Sequence, residues 1–414
     1  MEIFILTLFI IFFSLERMAS FGLNELNINH LGNHKDKVPE FFRNIIDDRT
    51  YLNSVAYTLD KGKLARLNLI YDTIVTLLIL FGGILPWLGK WSESQNLGPI
   101  GTGIFFITGL SIILALLGLP LEWISVFGIE RKYGFNKMTI KLYIMDKIKG
   151  VLLSILIGVP CLYAILWFMK ATGSLWWIWV FGFIMAFQTI MLLIYPLFIA
   201  PLFNKFDFLE EGDLKQAIEK LCDKIQFSLK GIFKMDGSKR SSHSNAYFTG
   251  FGKSRRIVLF DTLIKELTIH QTIAVLAHEI GHYKLRHIKK MICIGAIGLF
   301  TSLFALNLLY DYPPLFKVFS LETPTNYGAL ALFSLLSGTF TFCLSPIISA
   351  ISRKHEYEAD RFSVKILGEK KSMEEALIQL TKKNLSNLTP HPWYSIFYYS
   401  HPTTMERIQA IREV

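Results

Sequence analysis

Charge is scarce in this sequence. Only 18% of its 414 residues are Asp, Glu, Lys or Arg, against about 25% in an average soluble protein. That shortage argues against a disordered chain and a nucleic-acid-coating tail, and no nucleic-acid partner is expected. Cysteine is scarcer still. Cys161, Cys222, Cys293 and Cys343 form no CxxC pair, and three of them fall inside apolar runs. Neither a disulfide framework nor a zinc–thiolate site is expected. No internal repeat or low-complexity tract stands out.

What is abundant is apolar sequence, 52% of the chain, gathered into long runs. A spanning helix needs about 20 mostly apolar residues. Runs at 3–15, 67–88, 103–129, 150–169, 175–203, 291–310 and 328–351 predict seven. The first is short, but it opens on Met1-Glu2 rather than a basic segment, and no clean small-x-small cleavage site follows. It reads as a retained helix and not a signal peptide.

The net charge of +10 resides in alternate loops. Residues 16–66, 131–149, 204–290 and the tail after Ser352 are rich in Lys and Arg. The intervening loops carry only Lys90, Lys170 and Lys317. With seven spans, the positive-inside rule puts the N-terminus outside or in a lumen and the C-terminus in the cytosol. The expected division is 1–203 with five spans, 204–290 as a catalytic segment, 291–351 with two spans, and 352–414 as a C-terminal helical segment.

Residues 204–290 read as a helix at 211–225 and two strand-like stretches at 245–251 and 256–260. Gly252-Lys253-Ser254 signals a turn between them, hence a small β-hairpin. A helix over 263–287 follows. The tail reads as helices at 354–367, at 373–382 and from Thr403. Both segments lie on the same side of the membrane, so they can meet.

The chemistry is carried by His278-Glu279-Ile280-Gly281-His282. On a helix, positions i and i+4 share a face. His278 and His282 can therefore address one metal ion, with Glu279 rotated beside it to act on a water. A catalytic zinc usually takes a third protein ligand. The segment His355-Glu356-Tyr357-Glu358-Ala359-Asp360, just past the last span, offers one. Glu356 and Asp360 share a helical face, so Glu356 can ligate while Asp360 accepts a hydrogen bond from the distal nitrogen of a ligand histidine. His355 and Glu358 are the alternatives, and neither has an acidic partner at i+4. Otherwise these charges form a solvated face.

With these residues in place, the chain resembles the integral-membrane zinc proteases that process CAAX prenyl proteins, the type I, seven-span family. Beyond His278–His282 and Glu356–Asp360, the resemblance rests on Gly237–Phe248, Arg256–Leu263, Tyr133–Asn136, Ile199–Phe203, and His401-Pro402 with Glu406-Arg407. Thr403-Thr404 depart from the proline and apolar residue that often follow His401-Pro402 there. The resemblance implies a mainly α, polytopic membrane protein of seven transmembrane helices, with a zincin-like catalytic domain on the cytosolic side and a water-filled chamber. It implies one catalytic Zn2+, a C-terminally prenylated peptide or protein as substrate, and membrane lipid as surroundings. The reaction would be removal of the C-terminal tripeptide. The compartment would be the endoplasmic reticulum in a eukaryote or the inner membrane in a bacterium.

Further roles follow. His401 is expected to donate to the oxyanion, a role carried by the resemblance. Asn245, at the start of a strand leading toward the zinc helix, is expected to bond the substrate backbone, or else merely to open the strand. Ser241-Ser242-His243-Ser244 lacks a placed third group and is not expected to form a serine nucleophile. Arg353 and Arg361 read as supporting or lipid-facing charges, and Trp176-Trp177-Trp179 as an interface belt. Two other functions stand beside the first: quality-control proteolysis, as in the shorter heat-shock-type membrane zinc proteases, and a non-enzymatic zinc-binding scaffold.

Overall fold

In lipid an apolar run can satisfy its own backbone only as a helix or within a closed barrel. The computed structural model describes residues 1–250 and 255–414. Among the described residues, seven helices are long and apolar enough to cross a membrane: Glu2–Asn33, Asp48–Phe81, Gly98–Glu130, Ile140–Ala171, Gly173–Phe203, His287–Leu309 and Asn326–Leu367. They follow the expected order, but their ends differ. The second stops at Phe81 rather than residue 88. Gly83 adopts φ +79°, a left-handed conformation that glycine takes without steric cost, and a separate helix Ile84–Ser94 follows. The seventh runs well past its apolar stretch. It is tightened to a 3-10 turn at Phe342–Leu344 and absorbs the helix expected at 354–367.

Three spans widen into π-helical turns, at Ile124–Glu130, Ser154–Gly158 and Tyr195–Ile199. Each has a proline nearby (Pro120, Pro160 or Pro196) that cannot donate the helical hydrogen bond.

Phe9, Phe13, Phe106, Leu166, Trp176, Leu303 and Leu332 belong to one buried cluster, so the first apolar segment is built into the bundle. Trp176 is 0% exposed and packs on Tyr310. Trp177 lies against Phe300 and Phe304. Of the run expected as an interface belt, only Trp179 is largely exposed. The four cysteines are free thiols.

The sheet has four strands, β1 (Phe206–Phe208), β2 (Gly231–Met235), β3 (Ala246–Thr249) and β4 (Arg256–Phe260), in the order β1-β2-β4-β3. β4 runs parallel to β2 and antiparallel to β3, with Tyr247 opposite Val258. The expected hairpin strands thus pair, as half of a mixed sheet. Their turn signal, Gly252-Lys253-Ser254, lies outside the described residues. β4 is central, so Ile257, Val258 and Leu259 are all buried, while β3 is an edge strand.

The helix expected over 263–287 is split. Asp261–Glu266 comes first, and Thr268 with Gln271 then forms a reciprocal capping box that starts Ile269–Lys284. That arrangement satisfies two backbone donors which would otherwise end unpaired. Leu276, Ala277 and Ile280 pack into one core with Ile257 and Leu259. Ala274 joins Val364, Met373, Leu377, Ile408 and Ile411 from the tail in another. The HExxH helix and the C-terminal segment therefore meet, although two spans separate them in sequence.

Candidate metal centre

Three helices build the centre. Ile269–Lys284 carries His278, Glu279 and His282; the extension of the seventh span carries Glu356 and Asp360; and Thr404–Arg412 carries Arg407. The first two cross closely because residue 281 is glycine. A Cβ there would stand 3.2 Å from Ala359 Cα and 3.3 Å from its carbonyl oxygen. The third begins at a second capping box, Thr403 with Glu406, which sets the register of Arg407.

His278, His282 and Glu356 each offer a ligand atom, all within 4.8 Å of one another. His278 Nε2 lies 3.1 Å from His282 Nε2. Glu356 Oε2 lies 3.4 Å from His278 Nε2, and Oε1 lies 3.3 Å from His282 Nε2. Glu356 is buried, and its Oε2 has no hydrogen-bond donor among the described residues. Two imidazole nitrogens and a carboxylate oxygen, with an orphaned buried oxygen between them, fit a divalent metal of zinc's preferences.

His278 Nδ1 donates to Asp360 Oδ1 at 2.7 Å. That bond fixes the tautomer that turns Nε2 toward Glu356. Burial works against protonating His278, but the hydrogen bond to Asp360 and the nearby Glu356 carboxylate outweigh it and push its pKa up to about 9. Burial raises the Glu279 carboxyl, and the neighbouring His278 and His282 pull it back. A carboxylate poised in this way suits a general base.

Arg407 is the residue that spacing did not reveal. Its guanidinium lies 3.7 Å from Glu356 Oε2 and donates to both oxygens of Asp360. Only the local Glu406-Arg407 resemblance pointed toward it. Arg353, expected as a supporting or lipid-facing charge, donates to the carbonyls of Ser395, Ile396 and Tyr399. It thereby ends the helix Pro392–Tyr398 just before His401. Glu358, weighed as a rival ligand, points instead to His287 Nε2 at 2.9 Å.

His401 Nε2 lies 3.4 Å from Glu356 Oε1. Its ring opens into a cavity of about 950 Å3 that Arg407, Tyr57, Lys61 and His243 also line. The protein walls desolvate the ring and lower its pKa. A second cavity, about 620 Å3, is lined by Glu279, His282, Glu356, Tyr247 and Phe248. The edge strand β3 thus contributes side chains beside Glu279. Asn245, just before it, is exposed, and its Oδ1 accepts from the Ala246 N–H at 2.8 Å. That contact is the strand-opening role. His243 stacks on Phe135 and contacts Asn384 and Glu130, away from any serine base pairing.

Comparison with known proteins accords with this geometry. A family model described as CAAX prenyl protease N-terminal, five membrane helices, matches residues 27–205, and that of peptidase family M48 matches 209–414. The CAAX prenyl protease 1 homolog of Oryza sativa is 38% identical over 91% of this chain and 90% of its own length. The CAAX prenyl protease 1 of Saccharomyces cerevisiae is 38% identical over 91% and 88%. The crystal structure of S. mikatae Ste24p superposes with a TM-score of 0.90 at 36% identity, covering 97% of this chain and 99% of that one. This chain is a multi-pass membrane metalloprotease and belongs to peptidase family M48, among the CAAX prenyl proteases.

Proposed function

We propose that this protein is a zinc endopeptidase that removes the C-terminal tripeptide from prenylated CAAX proteins, with His278, His282 and Glu356 as the zinc ligands. The observation that carries the reading is the convergence of those three ligand atoms within 4.8 Å, with Glu279 at the adjoining cavity. Relatives named as CAAX prenyl proteases over about nine-tenths of the chain supply the substrate class.

Zinc, when bound, supplies Lewis acidity that brings a water toward a pKa of about 7 and polarises a carbonyl. The remaining work falls to the chain. Glu279 accepts the proton of the attacking water and passes it to the leaving amine. His401 donates to the oxygen of the scissile carbonyl as negative charge gathers there. Asp360, held by Arg407, keeps His278 in its ligating tautomer. The outer edge of β3 receives the peptide as an added strand, and the amide nitrogen of Asn245, which bonds no other described residue, bonds its backbone at the entrance.

The cytosolic side holds residues 204–290 and the C-terminus, and the N-terminus lies outside or in the lumen, as the basic loops direct. In a eukaryotic cell the membrane is that of the endoplasmic reticulum. A thiol label at Q95C should react from the side opposite a C-terminal reporter; reaction from one side would overturn the orientation. The decisive test is cleavage of a farnesylated CAAX peptide by purified protein. Release of the tripeptide, absent for the unprenylated peptide, is expected. Equal cleavage of both would sink the prenyl-specific reading and point to quality-control proteolysis.

A further inference from the structure

The two histidines of the HExxH pair are braced differently. His278 reaches a carboxylate directly. Among the described residues His282 has no carboxylate at its Nδ1. Its Nδ1 lies 3.0 Å from Nδ1 of His287, whose Nε2 lies 2.9 Å from Glu358 Oε2. His287 is 2% exposed, and the ring of His355 stacks on it at 4.1 Å with an interplanar angle of 11°.

We propose that His287 and Glu358 act as a positioning relay that sets the tautomer and orientation of His282. The proton placement follows from donor inventory. An ionised carboxylate only accepts, so His287 donates to Glu358 from Nε2. A neutral imidazole has one N–H, which leaves a lone pair on His287 Nδ1. The hydrogen between the two Nδ1 atoms then belongs to His282. Its Nε2 is thereby left bare, facing Glu356 Oε1 and His278 Nε2.

The helix geometry explains why a relay is needed. Glu356 and Asp360 lie one turn apart on the face turned to the site, and Glu358 lies between them on the other side. From there it cannot reach a metal-binding imidazole directly, and His287, the first residue of the sixth span, bridges the gap. Lys290 Nζ, 3.8 Å from Glu358, is the one further charge facing the pair among the ion pairs of the described residues. The relay also places Glu358 in the metal site's support, where sequence spacing offers it only as an alternative ligand.

The inference rests on the proposed ligand set, so its test must separate the two. Zinc dissociation constants are measured by chelator competition on the full-length protein in detergent, with far-UV circular dichroism as the folding control. H278A should lose zinc; retention there would refute the ligand set itself. H287L should weaken zinc about 10–100-fold, the usual cost of losing an outer partner of a ligand histidine. H287Q, whose amide oxygen accepts from His282 and whose NH2 donates to Glu358, should recover most of that loss. E358L should weaken zinc as well, and the double variant H287L/E358L should be no weaker than H287L, because Glu358 acts only through His287. Wild-type affinity in H287L, no recovery in H287Q, or multiplying losses in the double variant would each overturn the relay. If H287L fails to fold, E358L against E358Q decides: the amide keeps an acceptor and should hold zinc more tightly, and equal affinities would refute the relay.

Discussion

Arg407 grips Asp360 at both oxygens, Nε to Oδ2 at 2.8 Å and Nη2 to Oδ1 at 2.6 Å, while the same Oδ1 accepts from His278. The C-terminal helix and the HExxH helix thereby share the Asp360 carboxylate. A planar, two-pronged donor suits this task, and a lysine ammonium cannot reproduce it. R407K should therefore behave as a loss and not as a conservative change. Zinc affinity should fall about 10–100-fold, read by chelator competition. Wild-type affinity in R407K would show that Asp360 holds His278 without help.

Glu279 lies beside the ligand cluster and not within it. E279Q keeps the shape of the side chain but removes the basic oxygen. It should retain zinc at wild-type stoichiometry and lose about 10²–10⁴-fold in turnover. Zinc analysis alongside peptide cleavage checks both halves, and zinc-free E279Q would reassign Glu279 as a ligand.

His278 is raised to about 9 in the metal-free chain, so below that pH its Nε2 carries a proton where a metal would bind. The folded pKa lies above the ordinary value of 6.5. The proton's contribution to folding is therefore complete below about 6.5 and is lost as pH rises through about 9. Metal uptake must displace that proton. Zinc affinity should rise with pH toward about 9, and uptake at pH 7.5 should release a proton. Calorimetry in buffers of different ionisation enthalpy measures this, and uptake without proton release would contradict it.

Gly281 permits the close crossing of two helices, since a methyl group there meets the Ala359 backbone at 3.2 Å. G281A should separate the helix bearing His278 and His282 from the one bearing Glu356. Overpacking of this kind costs about 1–3 kcal/mol, and zinc affinity should drop with stability. Denaturation midpoints and chelator titration of the same preparation check the two together. Unchanged values in both would mean that the helices slide apart without strain.

The seven spans were legible because each apolar run is long and its flanking charges alternate. Their ends were not, because a nucleated helix continues into polar sequence where each added hydrogen bond offsets the backbone entropy it fixes. His278 and His282 could be read as a pair because helical spacing is local. Glu356 with Asp360 yielded to the same rule. Arg407 and the support lent by Glu358 did not, since their partners lie far away in sequence, and His287, though five residues from His282, starts a separate helix, so no periodicity links the two. β1 and β2 escaped for a related reason. β1 is only three residues long, and β2 is recognisable only by its parallel pairing with β4. Trp176 resembled its exposed neighbour Trp179 in sequence, and only packing against Tyr310 separates them.

The seventh span and Glu356 are parts of the same helical rod, Asn326–Leu367. His278 and His282 ride on the helix that leads, through Leu285 and Arg286, into the sixth span. A metal held by all three would clamp two membrane helices together at one end. Bilayer thickness sets helix tilt through hydrophobic mismatch, and tilt between these two spans shifts Glu356 against the histidines. By reciprocity, a bound ion resists that tilt as strongly as tilt weakens the ion. Zinc affinity should therefore vary between reconstituted bilayers of short and long acyl chains, and an affinity indifferent to thickness would mean that the polar ends of the two rods flex independently of their spans.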